Sequence, residues 1–315
     1  MAGISLQGRY LYASFAISQE RWHGVQPVRR PHPGDAGRTL LNTLTMSQKE
    51  LTVPPLEALL FDVDGTLADT EDTHRVAFNA AFAGAGLDWS WDEALYGQLL
   101  RVTGGKERIR YFIDGHVPTF RPDGDLDAFI AGLHREKTRV YVEMLGRGEL
   151  PLRPGVERLI RDARDNGLRL AIATTTTPDN VFSLLQHSFS TNATGWFELI
   201  AAADAAPVKK PAPDVYHYAL DRLGLPAERC LALEDSANGV IAARQAELEV
   251  LVTVNGYTQG QDFNGAALVL DGFGEPGHPC RVIAGGPDPN GLVDTGFLRR
   301  LHAQRWTASN AAGAN

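Results

Sequence analysis

From residue 58 onward, short apolar and β-branched runs alternate with stretches of helical spacing. Ala58–Val63, Arg169–Thr174, Phe197–Ala203, Cys230–Glu234 and Val250–Val254 each read as a buried strand, and Ala267–Leu270 as one more at an edge. Strands alternating with helices predict an α/β fold, a Rossmann-like doubly wound parallel sheet. Between about 71 and 150 the pattern changes. Phe78 and Phe82, Leu95 and Leu99, and Ile109, Phe112 and Ile113 recur at helical intervals without a convincing strand. That interval predicts an α-helical cap inserted between the first and second strands. Pro151, Pro154 and Gly155 mark its exit, where helix-breaking chemistry suits a hinge. The chain thus divides into an extension (1–54), a core (55–70 and 151–275), a helical cap (71–150) and a Gly- and Pro-rich tail (276–315).

Composition narrows the function classes. The 315 residues are 43 % hydrophobic and 22 % charged, as in soluble globular proteins. A net charge of −8 argues against a general nucleic-acid or anionic-membrane surface. No apolar run approaches the roughly 18 residues of a membrane span. Cys230 and Cys280 cannot staple a chain of this size, so stability must come from packing, as expected in a reducing, cytoplasmic setting. The first 45 residues carry five arginines (Arg9, Arg21, Arg29, Arg30, Arg38) against Glu20 and Asp35. This suits either a transit peptide for a plastid or other organelle, or a stretch before a true start at Met46, disordered or never made; the second account is favoured.

The chemistry-bearing residues sit at strand ends. The first strand runs into Phe61-Asp62-Val63-Asp64-Gly65-Thr66-Leu67, and strand alternation points Asp62 and Asp64 the same way at the carboxyl end of the sheet, where open α/β sheets place ligands. Two carboxylates on one face repel unless a cation lies between them or one is protonated. The same residues also suit a turn. Thr174, followed by Thr175, Thr176 and Thr177, offers hydroxyl and backbone N–H groups to a phosphate oxygen, or simply a strand end and helix cap. In Lys209-Lys210-Pro211-Ala212-Pro213-Asp214, prolines fix a loop that positions the Lys210 cation. Glu234-Asp235-Ser236 ends another apolar strand in acids that a hard divalent ion held by oxygens explains, with helix capping by Asp235 or Ser236 compatible.

Two acids, a hydroxyl, a lysine and two more acids, in this order, resemble the four motifs of the haloacid dehalogenase-like hydrolase superfamily over roughly Leu56–Val254. The resemblance implies Asp62 as nucleophile, Asp64 as general acid/base, and Thr174 and Lys210 as holders of the phosphoryl group. It implies Mg²⁺ bound by the Asp62 side chain, the Asp64 carbonyl and Asp235, with Glu234 an indirect ligand. A carboxylate attacks a phosphate dianion only once charge is neutralised, which is what the ion and Lys210 would supply. A carbon–halogen cleaving enzyme has no need of the second acid, Asp64, so phosphoryl transfer is favoured.

Substrate choice falls to the cap. Glu71 and His74 share the helix side of Phe78 and Phe82, Thr103-Gly104-Gly105-Lys106-Glu107-Arg108 joins a close-approach turn to cations, and His134-Arg135-Glu136-Lys137 adds a basic turn. Each also reads as an ordinary helix face or turn; two cationic clusters beside a one-phosphate core point to a second phosphate. Thr-Glu-x-x-His, Thr-Gly-Gly-Lys-Glu-Arg-Ile, His-Arg-x-Lys-Thr and Ala-Thr-Thr-Thr are similar to the CbbY-type phosphatases, which convert xylulose 1,5-bisphosphate, an inhibitor of Rubisco, to xylulose 5-phosphate. That likeness implies substrate contacts from Glu71, His74, Gly104, Gly105, Lys106, Glu107, Arg108, His134, Arg135, Lys137, Thr175, Thr176 and Thr177. The long amino-terminal extension, Pro178 and the tail depart from it. Rival readings are a sugar phosphomutase of the β-phosphoglucomutase type, a phosphoglycolate phosphatase, and a binding module without catalysis. The expected partner is a small phosphorylated sugar, with oligomeric state open.

Overall fold

The structure, a computed structural model, describes residues 53–312 apart from 149 and 191. The extension up to residue 52, with its alternative start at Met46, lies outside the described residues. Strands β1 (Ala58–Phe61), β2 (Arg169–Ala173), β3 (Leu199–Ala201), β4 (Cys230–Glu234), β5 (Glu249–Thr253), β6 (Leu268–Leu270) and β7 (Val282–Gly285) form one sheet in the order β3-β2-β1-β4-β5-β6-β7. All neighbours pair in parallel except β6 and β7. The expected edge strand at 267–270 is therefore interior, because β7 covers it.

Period-two alternation decides what each face buries. Leu59, Phe61, Leu170, Ile172, Leu231, Leu233 and Leu251 point to one side, against helices α5 (Val156–Asp165), α6 (Pro178–Leu184) and α9 (Thr295–Ala312). Ala58, Leu60, Ala171, Ala173, Cys230, Ala232, Val250 and Val252 point to the other, against α7 (Asp214–Leu223) and α8 (Ala237–Gln245). In α5 the buried set Val156, Leu159, Ile160 and Ala163 follows helical spacing on one stripe. The stretch 276–312 is more than a trailing segment: Val293, Phe297, Leu298 and Leu301 are buried in the first of these cores.

Four helices, α1 (Glu71–Gly84), α2 (Glu93–Leu99), α3 (Gly105–His116) and α4 (Leu126–Gly146), intervene between β1 and β2, with no strand among the described residues there. Phe78, Phe82, Trp89, Trp91, Tyr96, Leu99, Ile109, Phe112 and Leu133 give them a core of their own. Phe78, Phe82, Tyr96 and Phe112 surround Trp91 at centroid distances of 4.7–6.0 Å, in tilted and edge-on geometries worth about 0.5–1.5 kcal/mol per pair beyond area burial. Asp92 and Asp125 cap α2 and α4 by accepting from Leu95 N and Ala128 N, both at 2.8 Å. From β1 the chain passes to β2 and β3 on one side and then to β4 on the other, so the carboxyl ends of β1 and β4 meet at the topological switch point.

Candidate active site

Adjacent strand ends set the first constraint. β1 pairs with both β2 and β4, bringing Asp62, Thr174, Glu234 and Asp235 to one edge. Lys210 enters from the loop after β3, and its Nζ donates to Asp62 Oδ1 (2.7 Å), Glu234 Oε1 (2.6 Å) and the Ala173 carbonyl (2.9 Å). Its side chain is 4 % exposed, so three acceptors at these distances are what make a buried ammonium tolerable. Burial pulls its pKa down, but Asp62 and Glu234 outweigh burial and carry it above the usual lysine value.

Asp62, Glu234 and Asp235 are all buried, with ligand atoms within 4.8 Å of one another. Burial, together with neighbouring carboxylates, raises both Asp62 and Asp235 above the ordinary aspartate range. Lys210 alone does not balance three buried acids. An all-oxygen, electron-rich set of this kind fits a hard divalent cation such as Mg²⁺. Glu234 is the more committed member, since it also accepts from the Tyr216 hydroxyl and so chiefly orients Lys210. Asn255 Nδ2 donates to Asp235 Oδ2 at 2.7 Å. Gly65 turns at φ +80°, and a Cβ there would collide with the Asp235 carboxylate, so two demands fall on one glycine.

Asp64 has different surroundings. Thr70 Oγ1 donates to its Oδ1 at 2.7 Å and His74 Nε2 meets the same oxygen at 2.9 Å. Burial alone would raise Asp64; His74, Thr70 and Lys137 reverse this and hold it far below the usual range. Two aspartates two residues apart are thus driven in opposite directions, the signature of divided acid/base roles. His74 Nδ1 in turn lies 2.7 Å from Lys137 Nζ, and its ring stacks on Tyr141 at 4.1 Å. His74 and Lys137 line the cleft, but their polar atoms face each other and Asp64. Burial pushes Lys137 down to about 7.

Around this centre opens a cleft of about 690 Å³ between the sheet's carboxyl edge and the cap helices. Glu71, Gly104, Gly105, Lys106, Glu107, Arg108, His134, Thr175, Thr176 and Thr177 all line it. Glu71 Oε2 accepts from Tyr96 OH at 2.8 Å, and Arg108 NH1 donates to that same hydroxyl at 3.1 Å, so both are braced by the cap core. Thr176 Oγ1 accepts from Asn180 Nδ2 at 2.9 Å. Ser236, rather than Asp235, caps α8, accepting from Gly239 N at 3.1 Å. Arg135 stands apart: it is exposed and lies outside the cleft lining. His134, Lys137 and Tyr141 share a face of α4 at spacings of three and four, and Arg135 falls off that stripe.

Several residues of the site are not singled out by the sequence. Thr70 and Tyr216 orient charged groups, Asn180 and Lys209 line the cleft, and Asn238 Nδ2 ties core to cap by donating to Thr103 Oγ1 at 2.9 Å. Only Lys209 carried a signal, as the doubled lysine before Pro211. The others are common polar residues whose role depends on tertiary neighbours.

Comparison with known proteins agrees with this geometry. The family model for haloacid dehalogenase-like hydrolases matches residues 56–247. Protein CbbY of Cupriavidus necator is 50 % identical over 224 residues, covering 71 % of this chain and 88 % of that protein. The crystal structure of a CbbY mutant from Rhodobacter sphaeroides in complex with xylulose-(1,5)bisphosphate superposes with a TM-score of 0.64 at 47 % identity, over 69 % of this chain and 94 % of that one. A β-phosphoglucomutase from Clostridium difficile, at 19 % identity and TM-score 0.62 over 80 % of this chain and 99 % of that one, shares the fold. The chain belongs to the haloacid dehalogenase-like hydrolases, is a member of their CbbY family, and is an enzyme of the phosphatase type.

Proposed function

We propose that this enzyme is a Mg²⁺-dependent sugar-phosphate phosphatase that hydrolyses xylulose 1,5-bisphosphate to xylulose 5-phosphate. The observation that carries the reading is the contrast between Asp62, buried against Lys210 and Asp235, and Asp64, held as a carboxylate by Thr70 and His74, at the floor of a cleft lined above by Lys106, Arg108 and His134. A volume of about 690 Å³ suits a small ligand with polar groups at both ends. Support for the substrate comes from the CbbY relative that binds xylulose-(1,5)bisphosphate.

Asp62 attacks phosphorus, an Asp62 oxygen–phosphorus bond forms, and the bond to the sugar oxygen breaks as Asp64 delivers a proton to that oxygen. Asp62 and Asp235 would hold Mg²⁺, which supplies positive charge to the phosphoryl oxygens and lowers the repulsion between carboxylate and dianion. Lys210 fixes the Asp62 oxygen that it binds, leaving attack to the other. In the ligand-free arrangement Asp64 is held ionised; a phosphate dianion placed beside it raises its proton affinity and suits it to the acid role in the first half. In the second half Asp64 takes a proton from the water that hydrolyses the phosphoaspartate.

The test is product analysis with xylulose 1,5-bisphosphate and Mg²⁺. The expected result is one equivalent of inorganic phosphate with xylulose 5-phosphate as the sugar product, abolished in D62N. An isomerised sugar phosphate without free phosphate would establish a mutase instead, and preferential turnover of phosphoglycolate would overturn the substrate assignment.

A further inference from the structure

Both glycines at the start of α3 are covered from outside the helix. A Cβ on Gly104 would stand 2.7 Å from Lys209 Nζ and collide with the Glu107 carboxylate, and one on Gly105 would strike the His134 ring. Gly104 also turns at φ +97°, a region that side chains other than glycine rarely enter. Lys209 belongs to the core loop that delivers Lys210, yet its Nζ lies 2.9 Å from Oε2 of Glu107 on the cap helix α3. Adjacent lysines therefore serve opposite directions: Lys210 is locked downward by Asp62, Glu234 and the Ala173 carbonyl, whereas Lys209 reaches across the cleft.

Positive charge collects around His134. Burial, with Lys137, Lys106 and Lys209 as positive neighbours, pushes His134 down to about 3, so these lysines bear on one end of the cleft where His134 is neutral. Glu107 is the acid paired there with Lys209, and it is about half exposed. With its carboxylate side open to water the pair contributes only modestly to stability, and its lysine is drawn over a bare glycine in the cleft lining, where a ligand can reach it. A phosphate near a charge of −2, with three acceptor oxygens, competes well against one exposed carboxylate for an ammonium.

We propose that Lys209 is a specificity-determining residue whose ammonium passes from Glu107 to the distal phosphate of a bisphosphorylated substrate, so that core and cap build the distal subsite together. The proposal rests on the reading of this enzyme as a sugar-bisphosphate phosphatase. A substrate with one phosphate leaves the Lys209–Glu107 pair intact. A second phosphate exchanges with Glu107 and is gripped from both sides of the cleft.

The experiment measures the ratio of kcat/KM for xylulose 1,5-bisphosphate to that for p-nitrophenyl phosphate in wild type, K209Q, K209M, K209R and E107Q, with melting temperatures recorded alongside. K209Q and K209M are expected to lower the ratio at least tenfold, chiefly through KM for the bisphosphate. K209R is expected to retain most of it, and E107Q, which frees Lys209 of its carboxylate partner, to hold or raise it. Equal falls in K209Q and E107Q would make the pair a structural tie and overturn the proposal. A wild-type enzyme that favours the bisphosphate, with K209Q and K209M undiminished in that preference, overturns the proposal alone. A wild-type ratio near one overturns the bisphosphate reading itself, and this proposal with it.

Discussion

His74 Nε2 lies 2.9 Å from Asp64 Oδ1 and so joins a cap helix to the carboxylate two residues beyond the proposed nucleophile. Neighbouring groups fix the tautomer. An ionised Asp64 only accepts, so the neutral ring donates from Nε2 to Asp64, which leaves Nδ1 as the acceptor for an N–H of Lys137. Because this bond favours ionised Asp64, H74A is expected to raise the Asp64 pKa and move the acid limb of the pH–kcat profile to higher pH, with kcat down about 10²-fold, in the range of a general acid/base contribution. A fall in kcat with an unmoved limb would confine His74 to packing against Tyr141.

The strand-end chemistry was legible because it follows from local rules. Period-two alternation placed Asp62 at the sheet edge, and the doubled acids Glu234-Asp235 broke an apolar strand conspicuously. The helical spacing of Phe78, Phe82, Ile109 and Phe112 likewise announced the cap. Partnerships between distant residues were not legible. His74 meets Asp64 and Lys137 through the packing of α1 on α4, and Arg135 sits next to His134 in sequence yet a third of a turn away in space. The end of the chain misled for a related reason: its Gly- and Pro-rich composition masked β7 and the buried stripe of α9.

Metal binding has a readout apart from turnover. Buried Asp62 and Asp235 repel each other in the absence of a cation, and any ion that binds only the folded state stabilises it by mass action, by about 2–3 kcal/mol at a hundredfold excess over Kd. Millimolar Mg²⁺ is expected to raise the wild-type Tm by several degrees. D235N removes a ligand and one of the repelling charges, so its Tm is expected to exceed that of the wild type without Mg²⁺ and to respond little to it. A D235N protein with the full Mg²⁺ shift would show that the ion is held elsewhere.

Arg153 is a buried fastener behind the active-site turn. Its NH1 donates to the Gly65 carbonyl and, at 3.1 Å, to the carbonyl and hydroxyl of Thr253; NH2 reaches the carbonyls of Val254 (2.5 Å) and Asp271 (3.4 Å). Nε lies 3.2 Å from Asp69. One guanidinium thus ties together the exits of β1, β5 and β6, a fan of donors that an ammonium does not reproduce. R153M leaves several buried carbonyls unsatisfied and is expected to cost about 2–4 kcal/mol in urea unfolding, with R153K intermediate. A loss below about 0.5 kcal/mol, the scale of an ordinary surface substitution, would deny Arg153 this role.

His302 offers a pH test remote from the catalytic groups. It is 4 % exposed on α9, with Nε2 3.1 Å from the Pro54 carbonyl. Burial lowers its pKa below the usual histidine value of 6.5, outweighing the opposing pull of Pro54 and Glu249. The unfolded chain therefore binds a proton at this residue before the folded chain does. Stability from this group is full above the unfolded pKa and falls as pH drops through 6.5 toward the lower folded value, by at most about 1.4 kcal/mol per pH unit for one proton. H302Q keeps a donor toward Pro54 and does not titrate. Between pH 7 and pH 5 the wild type is expected to lose more unfolding free energy than H302Q, measured by chemical denaturation without divalent ions. Taking the difference between the two proteins cancels the opposite contribution of Asp62 and Asp235, whose raised pKa values make the folded state gain with acid. Parallel curves for the two proteins would show that His302 titrates alike in the folded and unfolded chain.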